Sequence, residues 1–378
     1  MKLITLKENL ILGLNIVSRI TGKNLTLPVL NNILMSVEKN FLNLSTTDLE
    51  LGIKYWFLIK TEKEGKITVP AKTLTNFINS LPDGKIFIEL KNQNLNINCQ
   101  DYQTEIKGLS AEEFPIIPQI KGEDFIELNN QVFCDGLSQV VDFITLNQTR
   151  PELSGVYFNF KKDALYLTAT DSFRLAEKTL FFEKKNNKEF SFILPQKSAR
   201  EIINILSGKE GKINLYFSSN QVLFEYPMPE TDHPQIQIIS RLVEGDYPDY
   251  QEIIPKKHEA MIVLPREKFL NHIKTASIFS GKTNEVKIKL APQKDGVEIL
   301  SQNPELGENK SFLQGQVKYE SGSKEMEISF NHRFLIDGLL NIKDPEVIFE
   351  VNNDEGPAAL KPKSDPSYIY IVMPIKST

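Results

Sequence analysis

The chain has 378 residues, 40% hydrophobic and 25% charged, with a formal net charge of −5. At roughly 100–200 residues per domain this length predicts two to four globular domains. The acidic sum excludes wholesale coating of the protein onto nucleic acid but not a local basic surface, and two cysteines, Cys99 and Cys134, exclude a disulfide framework and read as buried free thiols.

At the N-terminal end, KLITLKENLILGLNIV (2–17) reads as a strand followed by a helix. Glu8 and Asn9 interrupt the apolar core that a signal peptide needs, and no run reaches the ~20 apolar residues of a membrane span, so a cytoplasmic location is expected. LNLSTTDLEL (42–51) is a strand ending in a turn. GKITVPAKTLTNFINSL (65–81) is again strand, turn residue and helix. KIFIEL (85–90) and NLNINC (94–99) predict a hairpin turning at Asn92-Gln93. EEFPIIP (112–118) closes this stretch.

The same series then repeats. DFIELNNQVFCDGLSQVV (124–141) opens as a strand and a helix; LYLTATDSFRL (165–175) matches 42–51 at an offset of 123 residues, Thr47 to Thr170. EFSFILPQKSAREIINIL (189–206) matches 65–81, and GDYPDYQEIIP (245–255) closes the second stretch. A third copy follows in EAMIVLPREKFLNHIKTA (259–276), VEILSQNPEL (297–306) and KEMEISFNHRFLIDGLL (324–340), with Ser301 in register but Asn303-Pro304 in place of Thr-Asp. Period-two runs between the helices read as antiparallel strands. The expected architecture is α+β: three similar domains at 1–123, 124–256 and 257–378, each with two helices packed on antiparallel sheets.

The repeat bears on chemistry. Asp48 and Asp171 occupy equivalent places, and a catalytic acid does not need a twin. An Asp after Thr at a strand end instead accepts backbone N–H bonds and shapes the following turn. FSGKT (279–283) resembles the tail of a phosphate-binding loop, but Ala276 stands where that loop needs Gly. His233, His258, His272 and His332 are scattered singly, without metal-ligand spacing. No catalytic residue, metal or cofactor is expected. A hydrolase using Asp48 or Asp171 would need a convergent base or metal cluster, and a repeat scaffold that does not bind DNA would lack a basic bias on its helices.

Several strings then carry a resemblance: TLPVLNNILM (26–35), TTDLE (46–50), VPAKTL (69–74), ATDSFRLA (169–176), DYPDY (246–250) and YIVMPIKST (370–378). In this order and over the whole chain they resemble the bacterial DNA polymerase III beta subunit, the sliding-clamp family. The resemblance implies a non-catalytic processivity factor with the DNA clamp fold, two copies closing head to tail into a ring around duplex DNA. It implies, as partners, double-stranded DNA bound without sequence preference, a second copy of the chain, a clamp loader, and the replicative polymerase and other proteins carrying short Gln/Leu/Phe peptides.

The resemblance also implies sites. The partner-peptide pocket would take Leu153, Thr170, Ser172, Phe173, Arg174 and Leu175, then Pro248 and Ile253, then Asn331 and Phe334, and finally Ile371, Val372, Met373, Pro374 and Ile375. DNA would face Lys7, Arg19, Lys23, Lys72, Arg150, Lys197, Arg200, Lys268, Lys274 and Arg333. Two copies would meet near Tyr102, Thr104 and Ile106 on one side and Ile278 and Phe279 on the other. The chain departs from the family pattern at Asn24, at Ser172-Phe173 where Gly-His or Gly-Tyr is common, at Glu252 where Arg is common, and at Ser377-Thr378. Phe173 should make the pocket more apolar and shift its peptide preference.

Overall fold

Every helix of the repeat starts where a strand stops. A computed structural model of the chain describes residues 1–22, 26–120, 125–145, 149–182, 189–229, 231, 233–320, 325–352 and 356–376. Lys23, Asn24, the expected limit at 123–124 and Ser377-Thr378 lie outside the described residues. The helices are α1 (Lys7–Val17), α2 (Ala71–Ser80), α3 (Asn130–Val140), α4 (Gln196–Leu206), α5 (Arg266–Ser277) and α6 (His332–Asn341). Each follows directly on a strand, respectively Lys2–Leu6, Gly65–Pro70, Ile126–Asn129, Phe190–Pro195, Ala260–Pro265 and Met326–Asn331.

The junction residues explain the switch. Pro70 and Pro265 have φ of −57° and −63°, the values their rings impose, and need no backbone donor where the strand ends. Pro70 and Pro195 also end strands that lie at a sheet edge, where a missing N–H is tolerated. Asn129 and Asn331 cap instead: their Oδ1 atoms accept the N–H of Val132 at 3.1 Å and of Arg333 at 3.0 Å.

Contacts gather the chain into two compact units. The first comprises Met1–Cys134 and Lys197–Leu242; the second comprises Asp135–Gln196 and Val243–Thr378. The first unit holds two antiparallel sheets. One has five strands, in the order Lys60–Lys63, Lys2–Leu6, Lys85–Lys91, Asn94–Cys99, Tyr102–Lys107. The other has eight: Ile126–Asn129, Lys212–Phe217, Gln221–Pro227 and Pro234–Arg241, continued by Leu51–Leu58, Phe41–Thr47, Asn32–Glu38 and Gly65–Pro70. The seam pairs Ile236 with Tyr55, Ile238 with Ile53 and Ser240 with Leu51. Leu10, Leu14 and Val17 of α1 are fully buried over this sheet, and a Cβ on Gly13 would stand 2.8 Å from the Tyr55 ring.

The second unit repeats the plan. Its nine-stranded sheet runs Phe190–Pro195, Gly155–Phe160, Ala164–Thr170, Arg174–Phe181, then Tyr368–Val372, Ala358–Pro362, Glu346–Val351, Ala260–Pro265 and Gln316–Tyr319. Its seam pairs Arg174 with Val372, Leu175 with Ile371 and Lys178 with Tyr368. A four-stranded sheet, Gly307–Gln314, Gly296–Asn303, Glu285–Leu290 and Met326–Asn331, completes it.

Local signals match their positions. The expected hairpin turns at Asn92 and Gln93, whose φ values of 48° and 63° are those of a two-residue turn suited to strand twist. Thr46 Oγ1 donates to the Val17 carbonyl and Ser301 Oγ to the Ala276 carbonyl, each at 2.7 Å, so two copies of the repeat tie a strand to its helix end alike. Cys99 and Cys134 are buried free thiols.

Candidate functional site

The Thr-Asp pairs build the same turn twice. Asp48 Oδ1 accepts the N–H of Glu50 at 3.0 Å and of Leu51 at 2.7 Å; Asp171 Oδ1 accepts those of Phe173 and Arg174, both at 3.0 Å. Thr47 and Thr170 hydroxyls donate across the turn to the carbonyls of Leu51 and Arg174. Leu49 and Ser172 sit at φ of 79° and 76°, a conformation held by these bonds. Asn303 serves the third copy, accepting the Glu305 N–H at 2.9 Å. Both aspartates are thus occupied with backbone, and their remaining oxygens meet cations: Asp171 Oδ2 meets Arg174 Nε at 2.9 Å, and Asp48 Oδ2 meets Lys197 Nζ. Neither is placed as a catalytic acid.

What differs is the surrounding of the second turn. Arg174 leaves the strand toward α6. Its Nη1 reaches Asp337 Oδ2 at 2.5 Å, and its guanidinium carbon lies 4.7 Å from the Phe334 ring centre and 5.2 Å from that of Phe143. Burial alone would weaken its hold on a proton, but the Asp337 and Asp171 carboxylates together raise its pKa above the ordinary value. Tyr370 is wholly buried, and its hydroxyl donates to the Phe334 carbonyl at 2.8 Å; burial pushes its pKa up.

The chain's last segment closes around this cation. Val372 pairs with Arg174, and Met373 N–H donates to the Phe173 carbonyl at 2.9 Å. Ile375 N–H then donates to the Ser329 carbonyl at 2.8 Å, so the segment leaves one sheet and touches the four-stranded one. Phe173 is 62% exposed, with its ring centre 6.3 Å from that of Phe334. Ser172, Phe173, Arg174, Phe334, Val372 and Met373 therefore come together, while Thr170, paired with Leu175, faces the other side of the sheet; Asn331 caps the helix that carries Phe334.

Alternation along the strand sends Leu175 and Ile371 to the opposite face. There they are buried with Tyr250 and Ala359, flanked by Tyr157, Tyr247, Ile254 and Ile369. Pro248 and Ile253 lie on that closing segment, Pro248 half-buried and Ile253 exposed. Leu153 is buried in the single turn Pro151–Leu153, and Pro374 is buried with Ile375 half-buried beside it. Arg174 and Val372 on one face, and Leu175 and Ile371 on the other, thus mark the end of one strand pair.

Sequence reasoning missed Asp337, Phe143 and Tyr370, which hold Arg174. Phe334 and Asp337 stand three apart on α6 and share a face, a signal that could have been used. Arg150, expected among the DNA-facing cations, is a further neighbour of this turn. The structure sets Arg150 at the second turn, with Nη1 3.5 Å from Ser172 Oγ and Nε 3.0 Å from Glu152.

The other expected DNA-facing cations fall into two kinds. In the first unit Lys7 donates to the Leu81 carbonyl and lies 3.2 Å from Asp83, with only 14% of its side chain exposed. Arg19 pairs with Glu201 at 2.5 Å and Lys197 with Asp48, while Lys72 and Arg200 are exposed. In the second unit Lys268, Lys274 and Arg333 are exposed. On α5 the two lysines lie away from the buried Phe269, Leu270, Ile273 and Ala276. At the expected interface Tyr102 is 52% and Ile278 64% exposed, Thr104 and Phe279 are half-buried, and Ile106 is buried.

Family models cover nearly the whole chain. Residues 1–118, 127–249 and 251–376 match the N-terminal, central and C-terminal domains of the DNA polymerase III beta subunit. The chain belongs to the DNA polymerase III beta subunit family. Among family members, the beta sliding clamp of Staphylococcus aureus is 29% identical over 381 aligned positions, covering 98% of both chains. That of Staphylococcus epidermidis is 28% identical, covering 93% of both. Solved structures agree: the DNA polymerase sliding clamp of Bacillus subtilis superposes with a TM-score of 0.92 at 25% identity over all of both chains. A sliding clamp of Pseudomonas aeruginosa, solved bound to griselimycin, superposes at 0.91 with the same identity and coverage. The three-fold α+β repeat is therefore the clamp fold.

Proposed function

We infer that the chain is a DNA sliding clamp, the processivity factor of a replicative polymerase, and we propose that two copies close into a ring around duplex DNA. The sheet edges carry the ring. In the first unit the strand ending the second third of the chain, Pro234–Arg241, pairs with the strand after the first Thr-Asp turn, Leu51–Leu58. In the second unit the strand ending the last third, Tyr368–Val372, pairs with the strand after the second Thr-Asp turn, Arg174–Phe181. One pair is left over. Tyr102–Lys107 ends the first third and is the outer strand of the five-stranded sheet; Gly307–Gln314 follows the Asn303 turn and is the outer strand of the four-stranded one. Unpaired edges are association sites. Joining these two between copies repeats the internal seam and gives a nine-stranded sheet. Tyr102, Ile278, Leu306 and Phe312, all exposed apolar groups, stand on or beside these edges. Because the joined surfaces differ, the contact is heterologous, and two such contacts close a ring.

The domain limits follow the repeat, at 1–123, 124–256 and 257–378. Lys72, Arg200, Lys268, Lys274 and Arg333 are proposed to face DNA, with phosphate contacts that carry no sequence information. The surfaces around Arg174, Phe173, Phe334 and Met373 are proposed to take short Gln/Leu/Phe peptides of the polymerase, the clamp loader and other partners, with Arg150 at the rim. The protein is proposed to act without catalysis and in the cytoplasm. The test is retention on a nicked circular plasmid after loading with a clamp loader and ATP. Rapid loss when the plasmid is cut to a linear form is expected. Equal retention on both forms would replace the ring by ordinary affinity binding.

A further inference from the structure

The first unit carries a cavity of about 540 Å³ that the clamp reading leaves without a role. Its floor belongs to the eight-stranded sheet. Leu44 and Tyr55 of that sheet approach Gly13 of α1, so by alternation Asn43, Ser45, Lys54 and Trp56 line the opposite face. The segment 111–119 overhangs it, with Ile116 93% exposed.

Two features of the floor are unusual. The Lys54 ammonium is half-buried, has no ion-pair partner among the described residues, and is held below its ordinary pKa by burial. Asn43 Nδ2 is buried with no acceptor, while its Oδ1 accepts the Ser45 hydroxyl at 2.5 Å. Strand register pairs Asn43 with Trp56 and Ser45 with Lys54, so the two unmatched donors are diagonal neighbours. Lys66, by contrast, has Glu38 at 3.3 Å. A buried donor without an acceptor costs about 1–3 kcal/mol, and a desolvated charge costs more. One oxyanion would satisfy both.

An aromatic wall adjoins these donors. Phe41 stacks on His233 with ring centres 4.2 Å apart, and Trp56 meets His233 edge-on at 5.6 Å. The volume falls in the range of small-ligand sites, which combine apolar walls with a few convergent polar groups. We propose that this cavity binds a small ligand bearing an oxyanion on a flat ring, an aryl phosphate or aryl carboxylate, with the oxyanion on Lys54 and Asn43 and the ring against Trp56 and Phe41.

Trp56 is the only tryptophan of the chain, so its fluorescence reports on the cavity directly. The 378-residue chain is titrated with phenyl phosphate and, in a second arm, benzoate, which ranks the two oxyanions. Inorganic phosphate and benzyl alcohol serve as controls lacking the ring or the charge. A saturable change with at least one aryl anion is expected, with both controls at least about tenfold weaker. Lys54→Met should weaken binding about tenfold without lowering the melting temperature, since it removes an uncompensated charge. Asn43→Asp, which sets a carboxylate beside Lys54, should abolish binding. No saturable change with either aryl anion, equal binding of a control, or full binding by a folded Lys54→Met or Asn43→Asp protein would overturn the proposal. None of these readouts depends on ring closure or DNA.

Discussion

Replacing Asp171 by alanine should open the turn beside the proposed peptide site. The change removes three accepted bonds: the N–H groups of Phe173 and Arg174, each at 3.0 Å, and Arg174 Nε at 2.9 Å. Two backbone bonds at about 1 kcal/mol each, and a partly screened charge-assisted bond of roughly the same size, sum to a loss of about 3 kcal/mol in the second unit. Arg174 keeps Asp337, so it does not become an unpaired buried charge. Asp171→Asn retains the acceptor Oδ1 and should cost only about 1 kcal/mol, as Asn303 already accepts a backbone N–H in the third copy. Amide hydrogen exchange at Phe173 and Arg174 reads the difference. The backbone share, about 2 kcal/mol, corresponds to roughly thirtyfold faster exchange in the alanine variant. Asp48→Ala should cost about 2 kcal/mol in the first unit, because its pair with the exposed Lys197 adds little. The reasoning fails if Asp171→Asn frees the two amides as fully as alanine does, or if Asp48→Ala frees them.

Four further outcomes are expected. Phe173→Ala and Met373→Ala should each weaken binding of a Gln/Leu/Phe peptide about tenfold without changing native mass, measured by fluorescence anisotropy; Leu175→Ala is the poorer probe, because Leu175 is 2% exposed and its truncation costs about 2–5 kcal/mol of stability. Gly338→Ala would set a Cβ 2.4 Å from the buried Tyr370 ring and should destabilise the second unit by about 2 kcal/mol in thermal melting. Phe312→Asp should convert a dimer into a monomer in native mass spectrometry with an unchanged circular dichroism spectrum. The last concerns Glu177, whose carboxyl burial holds above its ordinary 4.5, although the Tyr250 hydroxyl, which donates to it, opposes the shift. The folded state then binds more protons than the unfolded one, so the second unit loses stability as pH rises from about 4.5 through the folded pKa. Glu177→Gln should remove that slope, and urea midpoints of the two proteins should diverge as pH rises above about 4.5.

Local chemistry made much of the fold readable. Pro70 and Pro195 mark strand ends because a ring-locked φ suits the switch to helix. Thr47-Asp48 and Thr170-Asp171 mark turns because their side chains replace backbone partners. Asn92 marks a hairpin because asparagine tolerates positive φ, and Gln93 follows it into the same region. Long-range pairings were not readable. Nothing near Leu51–Leu58 in sequence points to Pro234–Arg241, and nothing near Arg174 points to Asp337. Lys7 looks free on its helix because Asp83, which binds it, comes from beyond α2. Charge and a place on a loop adjoining a helix name Arg150 for DNA, and neither signal shows that its guanidinium comes 3.5 Å from Ser172 Oγ.

Covalent linkage makes the seams of this repeat unequal. Inside the chain the edge strands are tethered, and a tethered pair meets at an effective concentration on the order of millimolar. The edges Tyr102–Lys107 and Gly307–Gln314 have no such tether to a mate on another molecule. In the proposed ring, where the seam between copies would carry hydrogen bonds of the same kind, the untethered seam is expected to separate first on strain or dilution. The connectivity of the chain would thus set the opening point of that ring, whose third seam would lie between copies.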